Sequence, residues 1–290
     1  MSKGSIVLRH SGWRQHLLDF EGPAAVADMQ RRVANGLRRL NWPAAEAAVR
    51  ACTAAAPCRS GLCPRCIRTL RVRLLDFLAA EGLNGLPWFL VTVRVEGWLM
   101  APGDHRPFGP LRDHRHIEAL LTKFRRLKRP GVVVFGSIET VFRTVANAPV
   151  GKPFHLHLMI SGLSEAEILT AVSGTVPLAQ ADVLPLHVEA VEMTDKDFFG
   201  AASYAFKQPF WRRSASRADL KGDLQTPAAS QLRELIGNLG VHGWARRMIL
   251  LSMRCDQGWF RLTADVSATL PSAEMMKMRE KASQARGQGP

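Results

Sequence analysis

The stretch PFHLHLMI, residues 153–160, constrains the fold more than any other segment of the chain. In an extended backbone successive side chains point to opposite faces, so Phe154, Leu156, Leu158 and Ile160 share one side. His155, His157 and Met159 share the other. The first set is a complete core face, and a helical backbone would scatter it. The segment is therefore a strand of a sheet with one packed face, and it places two imidazoles together on the opposite face, expected to be open.

Three further segments read as strands, two of them by the same alternation. In PWFLVTVRV (87–95), Phe89, Val91, Val93 and Val95 oppose Trp88, Leu90, Thr92 and Arg94. VVVFGSIETVF (132–142) and LPLHVEAVEM (184–193) also read as strands. Helical periodicity marks HIEALLTKFRRLKR (116–129), stopped by Pro130-Gly131. It also marks SEAEILTAV (164–172), opened by a Ser164/Glu167 capping box, and DKDFFGAASYAFKQPF (195–210), helical until Pro209. The second and third strands are separated by a turn of about ten residues, which suits an antiparallel pair. The order strand–helix–strand–strand–helix–strand–helix predicts an α+β layer with helices on one face. Upstream, residues 23–51 read as two short helices broken near Pro43, and 68–83 as a basic amphipathic helix. Downstream come a helix over 229–238, a hairpin near 247–264 and a polar tail.

Four of the five cysteines, Cys52, Cys58, Cys63 and Cys66, fall within fifteen residues. Clustered thiols in a chain without a signal-peptide pattern favour metal over disulfides, and the tight Cys63-Pro64-Arg65-Cys66 knuckle lets two thiolates reach one ion. Four thiolates close a tetrahedral zinc site that is structural, because no position is left open for chemistry. A redox CxxC pair or buried thiols are the competing readings, and a histidine can stand in for the outlying Cys52. Arg59, Arg65 and Arg68 put positive charge around the knuckle.

The histidine pair is not specific by itself, since a second H-x-H, His114-Arg115-His116, sits at a loop–helix junction and reads as surface. Glu139 gives it meaning. This carboxylate interrupts the neighbouring apolar strand where it can lie beside His155 and His157. Two imidazoles and a carboxylate on adjacent strands form a three-ligand site with open positions, suited to Mg2+ or Mn2+ holding a phosphate oxygen. The competing reading is a Glu–His pair on a half-solvated sheet. The chain has a single tyrosine, Tyr204, against 13 Phe and 7 Trp, and Lys207 follows it by one helical turn. A phenol can act as a covalent nucleophile, and a nearby lysine can steady its charge. An ordinary amphipathic-helix tyrosine is the alternative.

In order, the FLVTVRV strand, Glu139, FHLHLMI and the Tyr204/Lys207 pair resemble the HUH endonuclease superfamily, and within it the rolling-circle replication initiators of bacterial plasmids. Several of those also carry a cysteine knuckle upstream. The resemblance spans roughly residues 52–210. It implies an antiparallel five-stranded sheet, an HUH/RRM-like core over residues 85–212. A helical and zinc-knuckle region (1–84) would precede it and a basic region (213–290) would follow. It further implies a divalent ion on Glu139, His155 and His157, attack by Tyr204 on single-stranded DNA or an extruded origin hairpin, and a 5′-phosphotyrosine link. Lys207 would contact the phosphate, and host helicase and polymerase would be partners. Gln208 stands where many of these initiators carry a second tyrosine, so a two-tyrosine mechanism within one chain is excluded.

An excess of 39 Lys and Arg over 25 Asp and Glu, a net charge of +14, fits a polyanionic partner. No apolar run approaches the roughly 20 residues of a membrane span, so no membrane role and a cytoplasmic location are expected. A transposase or relaxase of the same superfamily, or a non-catalytic zinc-containing DNA-binding protein, shares many of these features. No P-loop pattern is present.

Overall fold

A computed structural model describes residues 22–111, 114–140, 143–145, 148–179, 185–192, 194–206, 212–213, 224–225, 227–240, 247–256 and 258–263. In chain order the elements are α1 (Pro23–Arg39), α2 (Pro43–Ala51), α3 (Pro64–Ala80), β1 (Trp88–Met100), α4 (Arg115–Arg126), β2 (Val133–Thr140), β3 (Arg143–Val145), β4 (Ala148–Ser161), α5 (Glu165–Ser173), β5 (Leu186–Val191) and α6 (Asp195–Ala205). There follow a short ribbon of β6 (Arg212–Arg213) and β7 (Leu224–Gln225), then α7 (Ala229–Leu239), β8 (Met248–Leu251), β9 (Met253–Asp256) and β10 (Trp259–Leu262).

Proline opens each of α1, α2 and α3, where its missing N–H costs no helical bond. The Ser164/Glu167 capping box is formed at the start of α5. In α6 the helix ends at Ala205, earlier than the proline at 209 required.

Five strands form an antiparallel sheet in the order β5–β1–β4–β2–β8, with β3 paired to the outer part of β4. The fifth strand, β8, comes from the C-terminal stretch that reads locally as a hairpin. It pairs with β2, Phe135 opposite Leu250 and Ser137 opposite Met248, and only β9 and β10 make the hairpin.

One face carries the expected core: Val91, Val93, Phe154, Leu156, Leu158, Ile160 and Ile138 pack with α4 and α5. The same contiguous core includes Met29, Val33 and Leu37 of α1 and Leu232, Leu235 and Ile236 of α7. Residues from both ends of the chain thus share one interior with the sheet.

The second face is not open, and the expectation of helices on one face alone is corrected. Leu70, Leu74, Leu75 and Leu78 of α3, with Phe198, Phe199 and Ala202 of α6, cover Trp88, Phe135 and Met159. The physical reason lies in the sheet: beyond the two histidines this face is itself apolar and needs a lid of its own. Trp88 anchors the lid, 5.3 Å from the Phe135 ring and 5.7 Å from that of Phe198, with its indole N–H donating to the Leu83 carbonyl at 2.7 Å. No described helix is long and apolar enough to cross a membrane.

Candidate metal centre

The register of the sheet sets the site. Across β2–β4–β1, Glu139, His155 and Arg94 are direct partners, and one step along Ser137, His157 and Thr92 are direct partners. Partners in an antiparallel pair project to the same face, so these six residues share one patch. Gly136 permits the close approach of β2 to β4: a Cβ there would fall 2.0 Å from the His157 carbonyl oxygen.

Within the patch three ligand atoms converge. Glu139 Oε2 lies 2.9 Å from His157 Nε2 and 3.8 Å from His155 Nε2, and the two Nε2 atoms are 2.8 Å apart. A divalent ion with bonds of about 2.1 Å holds adjacent ligands about 3.0 Å apart, so the triangle fits a single ion. All three side chains are buried, Glu139 and His157 at 2% exposure and His155 at 8%.

Both imidazoles are held neutral, which leaves lone pairs for a cation. Burial, reinforced for His155 by repulsion from His157 and for both rings by Arg94, pushes each pKa down to about 3. Their outer contacts set the ring orientation. Thr92 Oγ1 lies 2.9 Å from His157 Nδ1, and the His155 ring donates to the backbone of Pro153, which has only a carbonyl to offer. Such bonds turn the Nε2 atom of each ring toward Glu139, where a cation would sit.

Tyr204, in the last turn of α6, packs on this patch with its ring centroid 4.6 Å from that of His157 and the planes inclined at 63°. The Ser137 hydroxyl donates to the Ala205 carbonyl at 2.8 Å, tying the end of that helix to the middle of β2. The tyrosine is thereby held over the patch by the residue directly opposite His157 in register. Lys207 lies outside the described residues.

The four cysteines form a second candidate site. Cys52 closes α2, Cys63 precedes α3, and Cys66 sits in the first turn of α3. Cys66 Sγ is 3.5 Å from Cys52 Sγ and 3.7 Å from Cys58 Sγ, and all four sulfurs lie within 4.8 Å of one another. Sulfurs at 2.3 Å from a tetrahedral ion are about 3.8 Å apart, whereas a disulfide would need about 2.0 Å. Cys52 is therefore the fourth member of the cluster, and among the described residues no histidine joins it. Arg59 adopts a left-handed conformation (φ 56°) that turns the chain between Cys58 and Cys63. Hydrogen bonds from Cys63 and Cys66 lower the Cys58 thiol pKa, while the same contacts with Cys58 raise that of Cys63, with burial adding to the rise. Thiolates packed this closely would repel one another, and a cation between them would offset that repulsion. Buried Gln30 of α1 donates to the carbonyls of Val49 at 2.6 Å and Cys52 at 3.0 Å, binding α1 to the knuckle.

Among the described residues these are the two groups of metal-ligating side chains, and His114 and His116 belong to neither. Sequence reasoning missed three members of the patch. Thr92 and Arg94 lie on the face their alternation assigns, and Ser137 is a small polar residue within an apolar strand. All three sit two residues from a site residue or across from one, a relationship that appears only once register is fixed. Glu189 on β5 is exposed and 3.6 Å from His187, at the edge of the sheet on the far side of Thr92. No protein-family model, curated protein or solved structure matches the chain.

Proposed function

We propose that this chain nicks and rejoins single-stranded DNA as a replication initiator of the rolling-circle type, with the HUH endonucleases as its family. The observation that carries this reading is the convergence of Glu139, His155 and His157 beneath the only tyrosine of the chain.

Glu139 and the two histidines would hold a divalent ion, Mg2+ or Mn2+, which when bound would polarise a scissile phosphate and offset its growing charge. The Tyr204 oxygen attacks phosphorus, forming a phosphotyrosine bond to the 5′ side as the P–O3′ bond breaks. The departing 3′ oxygen takes up a proton, which balances the one lost by the phenol. Arg94, beside His155 in register, supplies fixed positive charge toward the phosphate. Ser137, through Ala205, positions the nucleophile. Lys207, three residues on, is proposed as a second phosphate contact, and the released 3′-OH would prime a host polymerase aided by a helicase. The four-cysteine site is assigned a structural zinc.

A transposase or relaxase would share this chemistry and differ only in its DNA. A non-catalytic zinc-containing DNA-binding protein accounts for the charge and the cysteines but leaves the buried carboxylate–imidazole triad without a use. The decisive experiment incubates the protein with single-stranded DNA and Mn2+ and looks for a denaturation-resistant adduct. Its formation by the native chain and loss in Tyr204→Phe is expected. An adduct of equal yield in Tyr204→Phe would remove the tyrosine from the mechanism.

A further inference from the structure

The β9–β10 hairpin has one face turned inward and one outward. Phe260, Leu262, Met253 and Cys255 face the core that α3 shares, with the Phe260 ring 6.1 Å from that of Phe77. Trp259, Arg261, Arg254 and Asp256 are exposed, and they are cross-strand partners in the pairs Trp259–Asp256 and Arg261–Arg254.

Trp259 is the feature that needs an explanation. It is 65% exposed, yet its ring is held in place: the Arg73 guanidinium of α3 lies over it, 4.3 Å from the ring centroid. Arg73 Nη1 also donates to the Gly258 carbonyl at 3.4 Å. Gly258 has φ +86° and could not carry a side chain without meeting Arg73, since a Cβ would fall 2.8 Å from Nη1. A cation supports one face of the indole while the ring remains largely open to solvent, so its cost of ordering is met before any partner arrives.

We propose that Trp259, backed by Arg73 and flanked by Arg254 and Arg261, is a stacking platform for an unpaired base of single-stranded DNA. Base–aromatic stacking beside arginines is the chemistry by which single strands are gripped irrespective of sequence. Duplex bases already stack on one another and offer no free face. A protein partner is the poorer fit, because an interface core adds further apolar side chains around such an anchor. The other exposed large apolar side chains among the described residues, Leu99 and Leu169, lie on β1 and α5 and not on the hairpin. Three arginines and one carboxylate, the latter already paired with Arg261, make the surface complementary to phosphate. The hairpin packs on the side of the sheet that carries Glu139, His155 and His157, because Met253 joins the core of α3, α6, Phe135 and Met159. The choice of DNA over RNA rests on the nicking reaction proposed above; the stacking does not.

The test is fluorescence anisotropy of the full chain with a labelled mixed-sequence oligonucleotide, its duplex and the matching RNA, at one fixed salt concentration. Trp259→Ala should weaken single-strand binding by roughly five- to a hundredfold, the range expected for one stacked base. Trp259→Phe should recover most of that loss, and duplex binding should be the same in all three proteins. Because Trp259 is exposed, an unchanged far-ultraviolet circular dichroism spectrum is expected of both variants. Unaltered single-strand binding by Trp259→Ala, or an equal loss for duplex, overturns the platform. Tighter binding of RNA than of DNA overturns the choice of DNA. The covalent adduct of the native chain is read separately: its absence removes the nicking reaction and leaves a Trp259-dependent binding loss standing.

Discussion

Glu139 and His155 face each other as direct partners across β2 and β4, and the Glu139 carboxylate reaches past His155, at 3.8 Å, to His157, at 2.9 Å. One carboxylate thus spans both imidazoles of the neighbouring strand. Its position is fixed by the sheet hydrogen bonds rather than by a loop, which is how a rigid element holds ligands in place.

Glu139→Gln keeps the size of the side chain and a hydrogen bond to His157 while removing the negative charge. The metal-free variant should unfold close to the native midpoint. Its affinity for Mn2+ should fall by at least about tenfold, the lower end of what even indirect metal partners contribute. Isothermal titration calorimetry measures this, and the stabilisation by saturating Mn2+ seen in thermal unfolding should shrink in parallel.

Gly136→Ala should be far more damaging than its size implies. The added methyl would meet the His157 carbonyl oxygen at 2.0 Å and the Leu158 Cα at 2.8 Å, both backbone atoms of the central strand. Overpacking of this kind costs about 1–3 kcal/mol or more, and here any relief displaces His157. Urea denaturation should show the loss, and Mn2+ titration of the surviving folded fraction should show weakened binding. A variant with native stability would mean that β2 and β4 separate easily.

The two histidines make a pH prediction with a definite sign. Folding lowers both pKa values from 6.5 to about 3, so between these limits the unfolded chain binds more protons than the folded one. Metal-free protein should therefore hold its stability above about pH 6.5 and lose it progressively as the pH falls toward 3. In the paired double variant His155→Gln/His157→Gln the slope over this window should flatten, as followed by urea midpoints at successive pH values.

Ser137→Ala removes the hydroxyl that holds the end of α6. The stability cost should be about 1 kcal/mol, the usual worth of one hydrogen bond. Mn2+ affinity should stay near native while the rate of adduct formation by Tyr204 falls. A merely structural serine would leave that rate unchanged at saturating metal and DNA.

The four-cysteine site predicts one zinc per chain, measured by elemental analysis of protein purified without chelator. Cys66→Ser should lose it, because Cys66 Sγ is the neighbour of both Cys52 and Cys58. The helical signal and thermal midpoint should drop together, since the knuckle joins α2 to α3 and Gln30 carries the strain into α1.

The strands over 88–95 and 153–160 were legible because their apolar positions repeat every second residue, and the two faces so assigned are those observed. Glu139 stood out as a carboxylate in an apolar strand. That it would oppose His155 rather than sit a step away depends on strand pairing, which no local pattern encodes. The lid on the metal face was legible in principle. Trp88, Leu90, Phe135 and Met159 are apolar on the very side that bears the histidines, and α3 was recognised as amphipathic without a surface to receive it. The partner of β2 was not legible: β8 lies more than a hundred residues beyond it, and a four-residue strand resembles any hairpin arm.

That last pairing carries a consequence for how the protein is made. A ribosome delivers β2, β4 and the candidate metal ligands well before it delivers residues 248–251, so the nascent chain has a bare sheet edge next to Ser137. The first described helix, α1, likewise waits for α7 to complete its side of the interior. A chain interrupted before β8 therefore holds every proposed catalytic residue on an unfinished scaffold. The five-stranded sheet is complete only when β8 arrives, so the proposed nicking activity is expected to require it.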